Sequence, residues 1–501
     1  MPKLGSMTEF ELKFEIPPAH LKSVAAAVLD GKAIRQRLQA SYFDTADGAL
    51  ARHGIVVRLR KEGRRWVQTA KGPTSDVLER LEHNAALPLQ RAGTVPALDL
   101  SRHRETPVGK AIKKALGVKG DATYPGLLLL YGTDVQRITR QVVSGGSVVE
   151  VALDQGRVFA GAHSVPICEL EIELKEGTPT DAVALALQWC GAHGLWLCTI
   201  AKSMKGQRLR SADPFGEATS AAAPKFSRHA SAHEMVTAVV QACLSQILPN
   251  MSELASGSNH PDHIHQLRVG IRRLRTALRE LDGLADGLDP AWEACLVEVF
   301  RALGAHRDNS HLALVLQPGL LAAGGPPIGF DAAEGDVPDP GKTVRALEFQ
   351  AVLLGLLGFV YDQTNRPAAT DGGLKNALAL RLDKLHARAL QDGKKFLALD
   401  EAAQHGVRKR LKRLRYLLEF AGPLFSSGKV KHMAAALKPA QDALGLYNDE
   451  LMALHAWSAL AAHDPNAWFG IGWLSARRQP NAKRCFKEIK AFSDIKPFWR
   501  G

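Results

Sequence analysis

In two stretches far apart in this chain, every second residue is charged. At residues 9–13, Glu9, Glu11 and Lys13 fall on one side of an extended backbone, and Phe10, Leu12 and Phe14 fall on the other. At residues 169–175, Glu169, Glu171, Glu173 and Lys175 lie opposite Leu170, Ile172 and Leu174. Arg58 and Arg60 sit opposite Val57 and Leu59, and Arg80, Glu82 and Asn84 share a face. A period of two belongs to strands, so this part of the chain reads as β structure with one apolar and one charged face. A solvated antiparallel sheet accounts for any one of these strands. The set asks for more, because three carboxylates on one face repel unless a cation sits among them. Two acidic faces and several basic ones suit a closed barrel with a charged interior. Clustered carboxylates suit a hard divalent cation, Mg2+ or Mn2+. Arginines and lysines across from them suit phosphate oxygens. Together they are the equipment of metal-dependent phosphoryl chemistry, in which positioning and charge neutralisation supply most of the catalysis.

The period changes along the chain. Residues 1–208 read as mostly strand, with helices expected near 18–38 and 178–193. A small-residue segment follows, and 209–228 is expected to be a linker. Residues 229–495 read as helical, with a Gly/Pro-rich break at 317–342 expected to be a loop between units at about 229–316 and 343–495. The expected fold class is α+β multidomain: an N-terminal eight-stranded antiparallel barrel, then an all-α domain of two pseudo-repeated helical bundles. The 501 residues carry 64 Lys and Arg against 51 Asp and Glu, a net charge of +13, which points to an anionic partner. The longest apolar run, Ala351–Val360, is too short to span a bilayer and reads as a buried helix. Cys168, Cys190, Cys198, Cys243, Cys295 and Cys485 form no CxxC pair, so neither a zinc ribbon nor a disulfide framework is expected. The first residues lack the apolar core of a signal peptide, and the expected location is the cytoplasm.

The helical half contains a repeat. His265-Gln-Leu-Arg268 and the residues to Arg275 align with His405-Gly-Val-Arg408 and the residues to Arg415 at an offset of 140. Leu303–Asp308 aligns with Leu444–Asp449 at an offset of 141. His265, Arg268, Arg272, Arg275 and Arg279 step by three and four and form one helical stripe, with Leu267, Ile271, Leu274, Leu278 and Leu281 in another. In the second unit His405, Arg408, Lys412 and Arg415 form the stripe, backed by Val407, Leu411, Leu414 and Leu418. Solvated helix faces usually mix charge signs, whereas these carry almost no acid before Glu280 and Glu419. A polyanion is the natural neutraliser.

The N-terminal residues resemble the CYTH superfamily, the triphosphate tunnel metalloenzymes. Glu9-Phe-Glu11-Leu-Lys13 matches its ExExK signature. Tyr42-Phe-Asp-Thr45, Arg58-Leu-Arg60, Thr69-Ala-Lys71, Arg80-Leu-Glu82, Arg137 and Arg140, Asp154, Glu169-Leu-Glu171-Ile-Glu173 and Lys202-Ser203 follow in order. The resemblance implies an eight-stranded barrel that binds a triphosphate end-on with divalent metal, Mg2+ or Mn2+. It implies Glu9, Glu11 and Glu173 as metal ligands, with Glu169, Glu171 and Glu82 as nearby acids. Lys13, Arg58, Arg60, Lys71, Arg80, Arg137 and Lys202 would grip phosphate, and Glu9, Glu11, Lys13, Glu171 and Asp154 would form the catalytic set. Asn84 departs from the RxExE pattern of many members and removes one acid. The helical half is similar to the CHAD domain. That likeness implies two bundles around a basic groove that takes inorganic polyphosphate, lined by His265, Arg268, Arg272, Arg275, His405, Arg408, Lys412 and Arg415.

The expected function is a metal-dependent inorganic triphosphatase that cleaves tripolyphosphate to pyrophosphate and phosphate, with polyphosphate held by the helical domain. Association with polyphosphate granules would follow from that ligand. The alternatives are a non-catalytic polyphosphate-binding protein, or an enzyme acting on thiamine triphosphate or a nucleotide, with adenylate cyclase ranked lower. No helix-turn-helix or RNA-binding signature is present, which argues against nucleic acid, and no membrane partner is expected.

Overall fold

The computed structural model describes residues 8–74, 78–89, 94–120, 122–211, 213–329, 338–362 and 373–500, with the side chains of Thr8 and 305–311 outside that description. The chain forms two compact units. The first runs to Thr219 and adds Leu248–Ser258 and Val344–Asp362; the second takes Ser220–Ile247, Asn259–Thr343 and the chain from Gln363.

The first unit is built on β1 (Thr8–Glu15), β2 (Ile34–Asp44), β3 (Val56–Glu62), β4 (Arg65–Pro73), β5 (Glu79–Ala86), β6 (Leu128–Ser144), β7 (Ser147–Ala160) and β8 (His163–Glu176), with a two-residue β9 (Trp196–Leu197). The order is β5-β4-β3-β2-β6-β7-β8-β1, and β1 pairs back onto β5, which closes an antiparallel barrel of eight strands. Closure leaves no free edge among these eight strands. Tight turns drive the long hairpins. Gly145 and Gly146, at φ 58° and 95°, make the two-residue link between β6 and β7, a turn that needs positive φ at both positions.

The barrel inverts the usual arrangement. Leu12, Phe14, Leu170 and Ile172, on the faces opposite the charges, have no solvent exposure. They lie under helices, among them Pro179–His193 and the apolar Leu347–Tyr361, which pack on each other. Charges line the inside over part of the bore only. At one end Tyr42 stacks on Tyr131 at 4.8 Å, and both join Val135, Val158, Ala160 and Ile167, with Leu209 of the Lys202–Ser211 helix packed against them. The bore is therefore stoppered by apolar side chains at that end.

The helix expected over 18–38 is shorter: it runs Leu21–Leu29 after a 3-10 turn. Gly31 turns the chain at φ 106°, and from Ile34 the residues pair with β6 in a strand of eleven residues. Continuous pairing on the barrel outweighs local helix propensity there.

The second unit is helical. Pro261–Glu280 packs on Trp292–Ala322, Glu401–Ala421 packs on Ser427–Leu460, and the first and third of these pack on each other. These pairs carry the repeat seen in the sequence. The Trp292–Ala322 helix continues through Pro318 into the Gly/Pro-rich break, whose residues 330–337 lie outside the described chain. The side chains of His306, Arg307 and Asp308, in the second repeat match, lie outside it too. The cysteines are unpaired. No helix among the described residues is long and apolar enough to cross a membrane.

Candidate functional site

Strand alternation carries the charges of seven strands into one cavity of about 400 Å3 inside the barrel. Register does the assembly. Glu11 lies opposite Glu173, Lys13 opposite Glu171, Glu9 opposite Arg80, Lys71 opposite Glu82, and Arg137 opposite Asp154. The barrel residues expected to hold metal or phosphate or to form the catalytic set line this cavity: Glu9, Glu11 and Lys13; Arg58, Arg60 and Lys71; Arg80 and Glu82; Arg137 and Asp154; Glu169, Glu171 and Glu173; and Lys202. Arg140 does not line it; its guanidinium turns to Asp30.

The charges form two knots. In the first, Lys71 Nζ sits 2.8 Å from Glu9 and 2.5 Å from Glu82. Burial pushes Glu9 up to about 9 against the pull of Lys71, and the neighbouring Glu82 and Glu173 add to the rise. Burial would raise Glu82 as well, but the hydrogen bond with Glu9 and the charges of Lys71 and Arg58 hold it below the ordinary carboxylate range. The pair Glu9 and Glu82 therefore resists losing both of its protons together. Asn84 belongs to this knot. It accepts from Thr69 Oγ1 at 2.7 Å and donates to Glu82 Oε1 at 2.7 Å, so the neutral amide steadies an acid that another carboxylate would repel.

In the second knot Arg137 grips Asp154 with two hydrogen bonds of 2.6 Å and also reaches Glu171. Lys202 lies 2.7 Å from Asp154 and 2.6 Å from Glu171, and contacts Glu169. Lys205 stands 3.5 Å from Glu169, and Lys13 stands 3.8 Å from it while also donating to the Ile200 carbonyl. Against its burial, Lys13, Lys202 and Lys205 hold Glu169 down to about 2, and Arg137 and Lys202 hold Glu171 well below its usual value. Asp154, Glu169 and Glu171 each present an oxygen within 4.8 Å of the others.

Three groups between the knots have no ion-pair partner among the described residues. Glu11 forms no ion pair among the described residues, and burial, with Glu171 beside it, raises its pKa. Arg58 and Arg80 line the same space and form no ion pair among the described residues either, and the buried Arg58 Nε has no hydrogen-bond partner. Arg60 pairs only with Glu62. A carboxylate and guanidiniums with no direct salt bridge among the described residues, in one cavity, could receive a cation–anion pair. The donors are all oxygen, the set a hard divalent cation prefers. Lys175, paired with Glu173 at 2.6 Å, and Cys198 and Thr199 also line the cavity. Lys175 was legible on the charged face of its strand, whereas Cys198 and Thr199 carry no sequence signal.

The second unit holds its own basic groove of about 590 Å3. It is lined by His265, Arg268, Arg272 and Arg275 from one repeat, and by His405, Arg408 and Lys412 from the other. Arg415 is a correction. It is exposed and does not line the groove, because the inward face of its helix runs through Lys409, Lys412, Arg413 and Tyr416 and leaves Arg415 at the edge. Arg279, already in the first stripe, and Arg301 join the lining. Phe300 organises it, with the guanidinium carbons of Arg268, Arg272 and Arg275 at 4.8, 5.2 and 5.9 Å from its ring. Phe300 and Arg301 sit on a helix with no charged stripe, so the sequence did not point to them. His405 Nδ1 lies 2.6 Å from Asn448 Oδ1, and burial lowers its pKa despite that bond.

Comparison with known proteins follows the same division. The CYTH domain family matches residues 7–196 and the CHAD domain family matches residues 238–458. An inorganic triphosphatase of Haemophilus influenzae is 28% identical over 176 residues, which cover 34% of this chain and 45% of that protein. The match thus spans less than half of that relative. Among solved structures, the CHAD domain from the plant Ricinus communis aligns at TM-score 0.45 and 26% identity, covering 56% of this chain and 98% of that one. An adenylyl cyclase candidate from Hippeastrum in which a triphosphatase activity dominates aligns at TM-score 0.29 and 18% identity, covering 41% of this chain and 96% of that one.

Proposed function

We propose that this chain, a CYTH domain followed by a CHAD domain, is a metal-dependent inorganic triphosphatase whose helical half binds polyphosphate. The observation that carries the reading is the trio Glu11, Arg58 and Arg80, which face one cavity between two charge knots and form no ion pair among the described residues. A triphosphate brings the anion and its Mg2+ or Mn2+ brings the cation. Glu9, Glu11 and Glu173, with Glu82, Glu169 and Glu171 beside them, would hold the metal. A bound divalent cation would supply charge neutralisation at phosphorus and Lewis-acid activation of water.

The chain's own residues do the rest. Arg58, Arg60 and Arg80 bind phosphate oxygens as planar forks, and Lys71 is freed toward the anion once Glu9 and Glu82 turn to the cation. Lys13 and Lys202 reach the phosphoryl group from the second knot, where Asp154 and Glu171 fix Arg137 and Lys202 in place. Glu9, whose pKa burial raises, would need to be deprotonated to serve as a ligand. Water then cleaves the terminal anhydride, and phosphate and pyrophosphate leave.

In the second unit, the arginines ranged around Phe300 and the cations of the facing helix offer repeated, sequence-blind contacts to a linear polyanion. Polyphosphate fits that pattern, and polyphosphate granules are the place such binding would carry the protein.

The test is a phosphate-release panel over tripolyphosphate, long-chain polyphosphate, ATP and thiamine triphosphate, with and without Mg2+ or Mn2+. Metal-dependent release from tripolyphosphate above the organic substrates supports the reading. Retention of polyphosphate with no release from any of them would make the protein a non-catalytic polyphosphate binder.

A further inference from the structure

The cavity's most delicate wall is the segment from Leu197 to Ala201. Cys198, Thr199 and Ala201 line the cavity, the Ile200 carbonyl accepts from Lys13, and Lys202 begins the helix that follows. Beyond the two residues of β9 the segment keeps one backbone tie to β1, the Cys198 amide donating to the Lys13 carbonyl at 2.8 Å, and two side chains far along the chain hold the rest. Gln350 Oε1 accepts from the Leu197 amide at 2.8 Å, while Gln350 Nε2 donates to the Val344 carbonyl at 2.7 Å. Ser252 Oγ accepts from the Thr199 amide at 2.9 Å and donates to the Leu248 carbonyl at 2.8 Å. Both residues have no solvent exposure. They come from Val344–Asp362 and Leu248–Ser258, the pieces that fold with the barrel although they lie within the residues matched by the CHAD family. Tyr361, on the same helix as Gln350, stacks edge-on against Phe10 of β1 at 4.7 Å. That ring contact lies on the strand that carries Glu9, Glu11 and Lys13.

We propose that Gln350 and Ser252 are positioning residues of the triphosphate site: buried polar clamps, supplied from beyond the barrel sequence, that fix the Leu197–Ala201 wall and through it Lys13 and Lys202. The claim rests on the triphosphatase reading for its functional consequence. A buried amide N–H left without an acceptor is costly, so losing a clamp moves the wall rather than leaving it in place.

Ser252→Ala in the full chain removes one hydroxyl, and Ser252→Thr returns it; Gln350→Met removes the second clamp at similar volume. Cys198 sits in the wall, buried, and reports on it directly. Native-state thiol labelling of Cys198, read by mass spectrometry with buried Cys243 as internal control, should accelerate roughly tenfold in S252A and Q350M. KM for tripolyphosphate should rise roughly fivefold with a smaller change in kcat, because Lys13 and Lys202 meet the bound anion. S252T should restore both. Unchanged labelling overturns the proposal, as does faster labelling with both kinetic constants within about twofold of the parent. If the parent chain binds tripolyphosphate but releases no phosphate, the triphosphatase reading fails, and calorimetric affinity for tripolyphosphate with Mg2+ replaces KM: S252A must weaken it. A parent chain that neither cleaves nor binds tripolyphosphate overturns both.

Discussion

Glu9 and Glu11 sit two residues apart and share a face, yet their surroundings give them different work. Glu9 lies against Lys71 and Glu82 and has its pKa pushed up by burial, while Glu11, pushed up by burial and by Glu171, forms no ion pair among the described residues. Glu11→Gln should therefore abolish metal-dependent phosphate release by roughly 100-fold or more, and Glu9→Gln should do the same by weakening metal binding. Steady-state release across a Mn2+ titration checks both, because each variant loses a proposed metal ligand and should be partly rescued by more metal. The raised pKa of Glu9, about 9, carries a sign. Between the ordinary carboxylate value and 9 the folded chain holds a proton that the unfolded chain has lost, so this group makes stability fall as pH climbs through that window. A cation must displace the same proton, so Mn2+ affinity should rise with pH by up to about tenfold per unit. Calorimetry in two buffers of different ionisation enthalpy should show close to one proton released. These acids were legible in the sequence because a strand's period of two leaves no choice of face. The division of labour between them was not, since it depends on Lys71 and Glu82 arriving from β4 and β5.

The Lys202–Ser211 helix closes on the barrel through a glycine. A Cβ at Gly206 would stand 2.2 Å from the Tyr131 ring. Gly206→Val should push the helix away, destabilise the first unit by about 1–3 kcal/mol in chemical denaturation, and lower phosphate release by displacing Lys202. In the second unit the two basic helices exchange ion pairs. Arg273 of Pro261–Glu280 meets Glu419 of Glu401–Ala421 at 2.6 Å, and Arg413 of the latter meets Glu280 of the former. The two arginines stand 140 residues apart, the offset of the repeat, and the two glutamates 139, so the pairs are near-equivalent contacts of the two units. Their environments differ, and burial decides the cost of breaking them. The Arg273 side chain is 0% exposed and that of Arg413 is 30% exposed. Glu419→Gln should cost about 3 kcal/mol by stranding a buried guanidinium, and Glu280→Gln should cost under about 1 kcal/mol. Urea melts of the two variants check the ordering. The stripes that announced these helices were visible in the sequence. The exclusion of Arg415 was not, because an error of part of a turn in where the face is centred moves a residue from groove to rim.

Over the whole molecule, the change from period two to helical periodicity was enough to separate barrel from helices. Membership of the compact units was harder to read. Leu347–Tyr361 is apolar all round, so its sequence names no partner, and only the coordinates put Gln350 and Tyr361 against the barrel. A chain ending at Thr219 would lack both segments that cover Leu197 and Thr199. Expressed alone it should melt lower and bind tripolyphosphate more weakly than the full chain, as a thermal melt with calorimetry would show. The stacked Tyr42 and Tyr131 carry a different consequence. They turn the passage into a blind alley, so whatever is made inside departs through the doorway the reactant used. Traffic is one-way at a time: a lingering pyrophosphate bars the next arrival, and added pyrophosphate should raise KM without lowering kcat. If the proposed activity holds, a long chain should be cut from its tip, and product analysis on long-chain polyphosphate should show single phosphates rather than mid-chain fragments.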